Sequence, residues 1–176
     1  MRPITTCAPA HFDLVTRFGA EKVFDRYSPT VAAEIREYTG NELEHALDCV
    51  TQVDTTKMCY EALGRAGGRY VALEPPNPAV LQTRSHTVKA SWVLAFTVFG
   101  LEVPLDGEYY REARPDERAL NAQGLRIMER LLPLGQIDPH PVRILPGGLE
   151  GAVKGVEAIG VQPPSGYKMV YPIDTL

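Results

Sequence analysis

The sequence has 176 residues, 44% hydrophobic and 23% charged, which is enough for one core and typical of a soluble globular protein. Its formal net charge is −4 and no basic stripe is present, so neither a nucleic acid nor an anionic membrane surface is expected as a partner. No signal segment opens the sequence, and no apolar run approaches the roughly 18 residues of a membrane-spanning helix.

Strand-like and helix-like patterns alternate through the first half of the sequence. The predicted strands are residues 3–9, 21–25, 45–50 and 69–73, separated by helices at 11–20, at 28–40 and in a segment ending at Gly64. The second helix is expected to begin with Ser28 as N-cap and Pro29 at its first position, with Val31, Ile35 and Tyr38 on its apolar face. This alternation predicts a parallel α/β sheet with helices on both faces.

The glycines in EALGRAGGRYVAL, residues 61–73, resemble a phosphate-binding loop, but their order is wrong for one. A phosphate loop runs from strand to glycines to helix, whereas here a helical pattern precedes the glycines and a β-prone run follows them. We therefore interpret Gly64 as a left-handed helix C-cap, with Gly67 and Gly68 turning the chain into the next strand.

The second half predicts fewer and longer elements. Residues 91–100 (SWVLAFTVFG) form a continuous run that we expect to be buried, and a polar loop follows at 105–115. A strand, a helix and a last strand are predicted at 140–145, 148–160 and 167–171. Before them, residues 116–135 predict a helix whose buried side is Leu120, Leu125, Ile127, Met128, Leu131 and Leu132.

Ligands of open parallel sheets bind at the carboxyl ends of the strands, which selects four short segments as candidate sites. They are Cys7–His11, Arg26–Tyr27, Cys49–Gln52 and Leu73–Glu74. The sequence contains no pattern typical of a metal site or of a nucleophilic serine. The cysteines and His140 lack metal-ligand spacing, and no serine has the context of a nucleophile elbow. Three cysteines, an odd number without CxxC spacing, indicate core thiols in a reduced, cytoplasmic setting.

Several segments in order resemble one known family. FGAEKVFD, ALDCV, GRAGGRYVAL, HPVRILPGGLEGAVKGVE and SGYKMV resemble the C-terminal half of the medium-chain dehydrogenase/reductase superfamily. TCAPAHFDL, ALDCVTQVDTTKMCYEALGRAGG and SWVLAFTVFG are similar to the trans-acting enoyl reductases of fungal polyketide synthases. The resemblance implies an NADP(H) cofactor, a carrier-bound acyl substrate and a polyketide synthase partner. It leaves open whether the chain is a monomer or a homodimer.

The resemblance also implies site residues. Those expected to contact the cofactor are Ala8, Pro9, Ala10, His11, Arg26, Leu73, Glu74, Val170 and Tyr171. Those expected to contact the acyl substrate are Phe96, Thr97, Val98, Phe99 and Gly100. No catalytic side chain is implied. Ala8 lacks the hydroxyl expected near the 2′-phosphate, and Glu74 is an unfavourable carboxylate beside an anionic cofactor.

Each assignment has a structural alternative. His11 fits an exposed helical residue equally well, Arg26 a surface cation, and Glu74 an ordinary loop residue. Phe96 and Phe99 are more often core residues than substrate walls.

A complete enzyme of the resembled type is about twice as long. The resemblance therefore predicts a partial NADP-binding Rossmann domain at 1–135, without its first strand and glycine loop, and a strand-helix-strand segment of the GroES-like catalytic domain at 136–176. The predicted function is NADPH-dependent reduction of an α,β-unsaturated thioester, with this chain inactive alone. The alternative is a non-catalytic remnant that serves as a docking or dimerisation module, and a Rossmann module of another kind, such as a methyltransferase, ranks third.

Overall fold

A computed structural model describes residues 2–173 of the chain. Within them, the strands are β1 (Ile4–Cys7), β2 (Lys22–Asp25), β3 (His45–Asp48), β4 (Gly68–Ala72), β5 (Val88–Trp92), β6 (Val142–Ile144) and β7 (Lys168–Val170). The helices are α1 (Phe12–Arg17), α2 (Val31–Tyr38), α3 (Val53–Ala62), α4 (Pro78–Gln82), α5 (Pro115–Leu131) and α6 (Gly148–Val161). Short 3₁₀ turns occupy Pro9–His11, Ala95–Phe99 and Gly107–Tyr109.

The strands pair in parallel, which confirms the predicted α/β fold. β1 pairs with β2, β3 with β4, β4 with β5, and β6 with β7, all in parallel register. Within residues 2–173, β1 and β2 form one sheet, β3, β4 and β5 form a second, and β6 and β7 form a third. This division is what a Rossmann-type sheet without its central first strand should show.

The core lies between these sheets and the helices α2, α3 and α4. One cluster of buried residues joins α3 to β4 and includes Leu63, only 1% exposed, and the fully buried Tyr70. A second cluster joins β2 to α2 through Phe24, Val31 and Ile35. Two of the three residues predicted for the apolar face of α2 are thus buried, whereas Tyr38 remains exposed.

Two predictions about helix ends were wrong. α2 begins at Val31, and Ser28 is not its N-cap: the Ser28 hydroxyl instead donates to the Glu34 carboxylate, as the Thr30 hydroxyl also does. α3 ends with Leu63 as its C-cap, and Gly64 is not left-handed. A Cβ on Gly64 would lie 2.5 Å from the Asn41 carbonyl oxygen, so glycine is needed there for close backbone approach. Gly67 and Gly68 do have the positive φ expected of a turn.

The segment between β4 and α5 differs from the prediction. The short helix α4 was not predicted, although Asn77 caps it by accepting a hydrogen bond from the Ala79 N–H and Pro78 starts it. Residues 91–100 are not one buried run, because β5 ends at Trp92 and a 3₁₀ turn follows. Phe96 and Phe99 are 55% and 62% exposed, so neither is a core residue.

The helix predicted at 116–135 is present as α5, but its expected buried side is not buried. No residue of α5 is buried among the described residues. Leu131 is half-buried, and the other apolar residues of that side are exposed: Leu120, Leu125, Ile127, Met128 and Leu132. The periodicity identified an apolar stripe correctly, but the described chain supplies no surface to cover it.

Candidate functional site at the carboxyl ends of the strands

The parallel register brings the first two candidate segments together. Cys7 lies opposite Asp25, and the Arg26 N–H donates to the Cys7 carbonyl at 3.0 Å, so the chain after β1 and the chain after β2 leave the sheet side by side. The Arg26 guanidinium lies 5.2 Å from the centroid of the Tyr27 ring, and both side chains are exposed. This corner therefore presents a cation stacked on an aromatic ring to solvent.

His11 connects this corner to the C-terminal segment. It ends the 3₁₀ turn that follows β1, and its Nε2 lies 2.6 Å from the Ser165 hydroxyl in the loop before β7. Gly166 lies against the same ring, where a Cβ would come within 2.8 Å of His11 Cε1. His11 is thus half-buried and hydrogen-bonded, and it is not the freely exposed helical residue of the structural alternative.

A second corner lies at the ends of β3, β4 and β5. The Leu73 N–H donates to the Asp48 carbonyl and the Val93 N–H to the Ala72 carbonyl, so the three strands end level with one another. Leu73 and Glu74 are exposed at this edge. The Tyr109 hydroxyl donates to the Glu74 carboxylate at 2.8 Å, and this contact raises the pKa of the Tyr109 phenol. Glu74 is thus an exposed loop residue whose carboxylate accepts one hydrogen bond.

An aromatic stack supports Tyr109. Its ring meets Trp92 edge-to-face at 5.4 Å, and the Arg111 guanidinium lies 4.2 Å from the Trp92 ring centroid. Val103 pairs with Arg111 as an antiparallel bridge, which folds residues 103–111 back toward β5. The predicted polar loop is therefore a folded flap over the end of β5, and the sequence pattern did not reveal it.

A buried carboxylate organises the loop after β3, and sequence reasoning missed it. Asp48 is only 4% exposed. Its Oδ1 accepts from the N–H groups of Val50 and Thr51, and its Oδ2 accepts from the hydroxyls of Thr55 and Tyr70 at 2.9 and 3.0 Å. An aspartate closing a strand with two threonines in the next helix was the available signal. The network fixes the candidate segment Cys49–Gln52, with Thr51 at a positive φ of 56°.

The five residues expected at the acyl substrate occupy one tight turn. Thr97 is buried and its hydroxyl donates to the Leu94 carbonyl, which anchors the turn. Gly100 closes the turn at φ 72°, where a Cβ would press on the side chain of Arg118 in α5. Phe96 and Phe99 point outward from this anchored backbone, and Val98 is half-buried. The turn offers two exposed aromatic rings on a rigid base.

Val170 and Tyr171 lie at the end of β7, and no described contact joins them to the other predicted site residues. Val170 is exposed. The Tyr171 ring packs on α6, where Gly151 and Gly155 leave room for it: a Cβ on Gly151 would lie 3.0 Å from the ring, and one on Gly155 would collide with the hydroxyl. Tyr171 is thus occupied by packing, and Val170 is the more accessible of the two.

Metal ligands and thiols add nothing to the site. Residues 2–173 contain no group of three or more His, Cys, Asp or Glu side chains able to hold a metal ion. Cys7 is half-buried and Cys59 buried, but Cys49 is exposed, so the expectation of three core thiols was wrong for Cys49. Burial raises the pKa of the Cys59 thiol to about 12, which leaves it protonated and inert at neutral pH. No helix in the described part of the chain is long and apolar enough to cross a bilayer.

The chain is similar along nearly its whole length to curated fungal enzymes. It is 53% identical to the trans-enoyl reductase caaB of Aspergillus niger over 98% of this chain and 47% of that protein. It is 51% identical to the trans-enoyl reductase traG of Penicillium crustosum over 98% of this chain and 48% of that protein. The chain is therefore a relative of the trans-enoyl reductases of the medium-chain dehydrogenase/reductase superfamily, and it spans about half of their length. No protein-family model matches it.

Solved structures share the fold of this chain. The CurK enoyl reductase superposes with a TM-score of 0.68 at 14% identity, over 96% of this chain and 47% of that one. A putative NADPH:quinone reductase from Bacillus thuringiensis superposes with a TM-score of 0.69 at 16% identity, over 94% and 47%. In each comparison the chain spans about half the length of the protein that it matches.

Proposed function

We propose that this chain forms half of an NADPH-dependent, trans-acting enoyl reductase that reduces an α,β-unsaturated thioester carried by a partner polyketide synthase. The observation that carries the proposal is the 53% identity to a trans-enoyl reductase over 98% of the chain. That match covers 173 residues of the chain. We further propose that the chain alone is inactive, because it spans only 47% of that relative.

The first corner fits the adenosine end of a nicotinamide dinucleotide. Arg26 provides an exposed positive charge and a planar face, and the Tyr27 ring beneath it holds the guanidinium in place. We propose that Arg26, with the turn Ala8–His11, binds the phosphorylated ribose of NADPH. His11 shares its Nε2 with Ser165, so a tautomer with the proton on Nδ1 leaves that nitrogen as a donor.

The second corner fits the centre of the same cofactor once the state of Glu74 is considered. A free carboxylate beside an anionic dinucleotide would repel it, but the hydrogen bond from Tyr109 holds Glu74 to one side and disperses its charge. We propose that Leu73 and the backbone at Glu74 contact the cofactor, and that Val170 lies toward its nicotinamide end. A bound NADPH supplies the hydride for the β-carbon of the unsaturated thioester.

We propose that the turn Ala95–Phe99 and Gly100 forms one wall of the acyl pocket. Exposed aromatic rings on an anchored backbone suit an apolar chain, because their burial on binding is favourable and costs little side-chain freedom. Phe96 and Phe99 would contact the acyl chain directly. Thr97, Val98 and Gly100 would position them.

We also propose two domains, residues 1–135 as the cofactor domain and residues 136–176 as part of the catalytic domain. The boundary falls between α5, which ends at Leu131, and β6, which begins a separate sheet with β7. Met1 and residues 174–176 of these ranges lie outside the described residues.

A chimeric enzyme tests the proposed activity. The half of caaB that this chain does not match is joined to the chain, and NADPH oxidation is followed by absorbance with a crotonyl thioester. We expect steady turnover by the chimera and none by the 176-residue chain alone. A soluble, folded chimera without turnover would contradict the reductase, and turnover by the chain alone would contradict the half-enzyme.

Two arginine variants of the chimera test the cofactor corner. Arg26→Ala should weaken NADPH binding by roughly tenfold or more, since one charged hydrogen bond contributes about 1.5 to 3 kcal/mol. Arg69→Ala is the matched control, because Arg69 is exposed at the amino end of β4, away from this edge. Equal NADPH affinity in the two variants would show that Arg26 is only a surface cation.

A docking or dimerisation module is the second candidate, favoured by the exposed apolar side of α5. Sedimentation velocity of the chain with and without Leu125→Glu distinguishes this role. A dimer abolished by the substitution, together with an inactive chimera, would favour the module over the enzyme.

A further inference from the structure

An open cavity of about 700 Å³ lies between α2, α3 and α4. It shares no residue with the candidate site at the carboxyl ends of the strands. Its apolar wall includes Val53, Leu63 and Val80, of which Leu63 and Val80 belong to the buried core. The volume falls within the range of about 300 to 1,000 Å³ that is usual for small-molecule sites.

The rim of the cavity is cationic, although the chain as a whole has a formal net charge of −4. The residues that line it include four cations and one carboxylate, which are Arg36, Lys57, Arg65, Arg84 and Glu61. Four positive charges around a mostly apolar wall, on an otherwise acidic chain, create a local preference for an anion. No ion pair joins these four cations to a carboxylate among the contacts of residues 2–173.

Arg84 is fixed in place and retains free donors. Its Nη1 donates to the carbonyls of Tyr60 and Leu63 at 2.7 and 2.8 Å, and its Nη2 donates to the Gly64 carbonyl at 2.5 Å. These contacts use three of the five N–H groups of a guanidinium, which leaves two for a ligand. The cation is therefore held at the cavity wall before any ligand arrives.

Tyr60, which also lines the cavity, has an unsatisfied hydroxyl. The side chain is only 2% exposed, and its hydroxyl has no hydrogen-bond partner in the described part of the chain. A buried hydroxyl without a partner is unfavourable, and such groups usually find one. Burial raises the pKa of this phenol, so it remains a donor at neutral pH.

We propose that this cavity binds a carboxylate with an apolar tail of medium chain length. The carboxylate binds the cationic rim near Arg84, with the Tyr60 hydroxyl as a further donor, and the tail packs on Val53, Leu63 and Val80. This site is separate from the proposed reductase site and does not depend on that activity.

Three probes separate the parts of this proposal. Octanoate, 1-octanol and inorganic phosphate are titrated into the isotope-labelled chain, and amide shifts report affinity and location. We expect octanoate to shift amides of residues 53–65 and 77–84, with affinity at least tenfold above that of either other probe. If octanol binds as tightly as octanoate, the proposed role of the cations is overturned. If phosphate binds as tightly as octanoate, the proposed role of the apolar wall is overturned. Shifts confined to α5 would overturn the site itself.

Variants test the individual groups. Lys57→Gln with Arg65→Gln should weaken octanoate roughly tenfold, because charge-assisted contacts are lost. Both residues are exposed, so the fold should be retained, and unchanged thermal unfolding checks this. Tyr60→Phe should weaken octanoate severalfold while leaving the ring in place. Lys89→Gln, which changes the same charge on β5 outside the cavity, should have no effect. Octanoate affinity unchanged in both the double variant and Tyr60→Phe would overturn the proposal.

Discussion

Two regions of the chain differ in how their helices are covered. In the packed region, residues 22–92, the helices α2, α3 and α4 bury apolar residues against parallel strands. In the open region, residues 115–170, α5 buries no residue and α6 buries only Gly155. Both regions contain amphipathic helices of at least eight residues, α2 and α3 in the packed region and α5 and α6 in the open region. The difference shows that an apolar stripe identifies the side of a helix that can be buried, whereas its burial requires another surface that packs against that side.

Hydrogen exchange should show the largest contrast between the regions. Amides of Tyr70, Val71 and Ala72 in the central strand β4 should exchange at least about a thousandfold more slowly than amides in the middle of α5, because opening β4 requires disruption of the core. Mass spectrometry or NMR of the chain at neutral pH measures both. Comparable protection in α5 would mean that another copy of the chain covers it, and dilution would then remove the protection.

Matched leucine truncations should differ by several kcal/mol. Leu63→Ala leaves a cavity beside Tyr70 and should lower the free energy of unfolding by about 2 to 5 kcal/mol. Leu125→Ala on α5 should change it by less than about 0.5 kcal/mol, since Leu125 is exposed. Urea unfolding followed by circular dichroism gives both values. Similar losses for the two variants would erase the distinction between the regions.

The buried carboxylate of the packed region should matter more than a surface one. Asp48→Asn keeps the size of the side chain but replaces one carboxylate oxygen with an NH₂ group. That NH₂ group would face the hydroxyls or N–H groups that donate to the carboxylate in the native chain. We expect a loss of about 1 to 3 kcal/mol in unfolding free energy. Asp54→Asn, exposed on α3, is the control and should be nearly neutral. A neutral Asp48→Asn would show that water readily replaces this network.

Alanine substitutions at two glycines should have opposite signs. Gly64→Ala places a Cβ against the Asn41 carbonyl and should destabilise the packed region by about 1 to 3 kcal/mol. Gly124→Ala, in the interior of α5 with open space around the new methyl group, should stabilise the chain by about 0.5 to 1 kcal/mol. Thermal unfolding measures both, and a change of the same sign in both would contradict the structure.

Local patterns were sufficient to predict most elements but not their surroundings. Strands β1 to β4, β6 and β7 follow from short apolar runs bounded by glycine or proline, and the order of helices between them predicted the parallel pairing. α4 was missed because it has only five residues, although Asn77 and Pro78 marked its start. β5 was not predicted, because only Val88 of its five residues is buried and its sequence therefore lacks the apolar alternation of a half-buried strand.

The candidate site was predictable in position but not in its contacts. The rule that ligands bind at strand carboxyl ends selected Arg26 and Glu74 correctly as neighbours of the sheet edge. The partners of Glu74 and His11 were not predictable, because Tyr109 and Ser165 lie 35 and 154 residues away in sequence. Contacts of such separation depend on the tertiary fold, and no local pattern encodes them.

The capping of α3 by Arg84 has a consequence for the order of folding. The carbonyls of Tyr60 and Gly64 receive their donors from a residue 24 and 20 positions further along the chain. During synthesis, the end of α3 must therefore leave the ribosome and remain frayed or hydrated until β4 and α4 have followed. The residues from α3 to Arg84 thus gain stability together, once Arg84 has been synthesised. A chain that stopped before Arg84 would lack these hydrogen bonds at the end of α3.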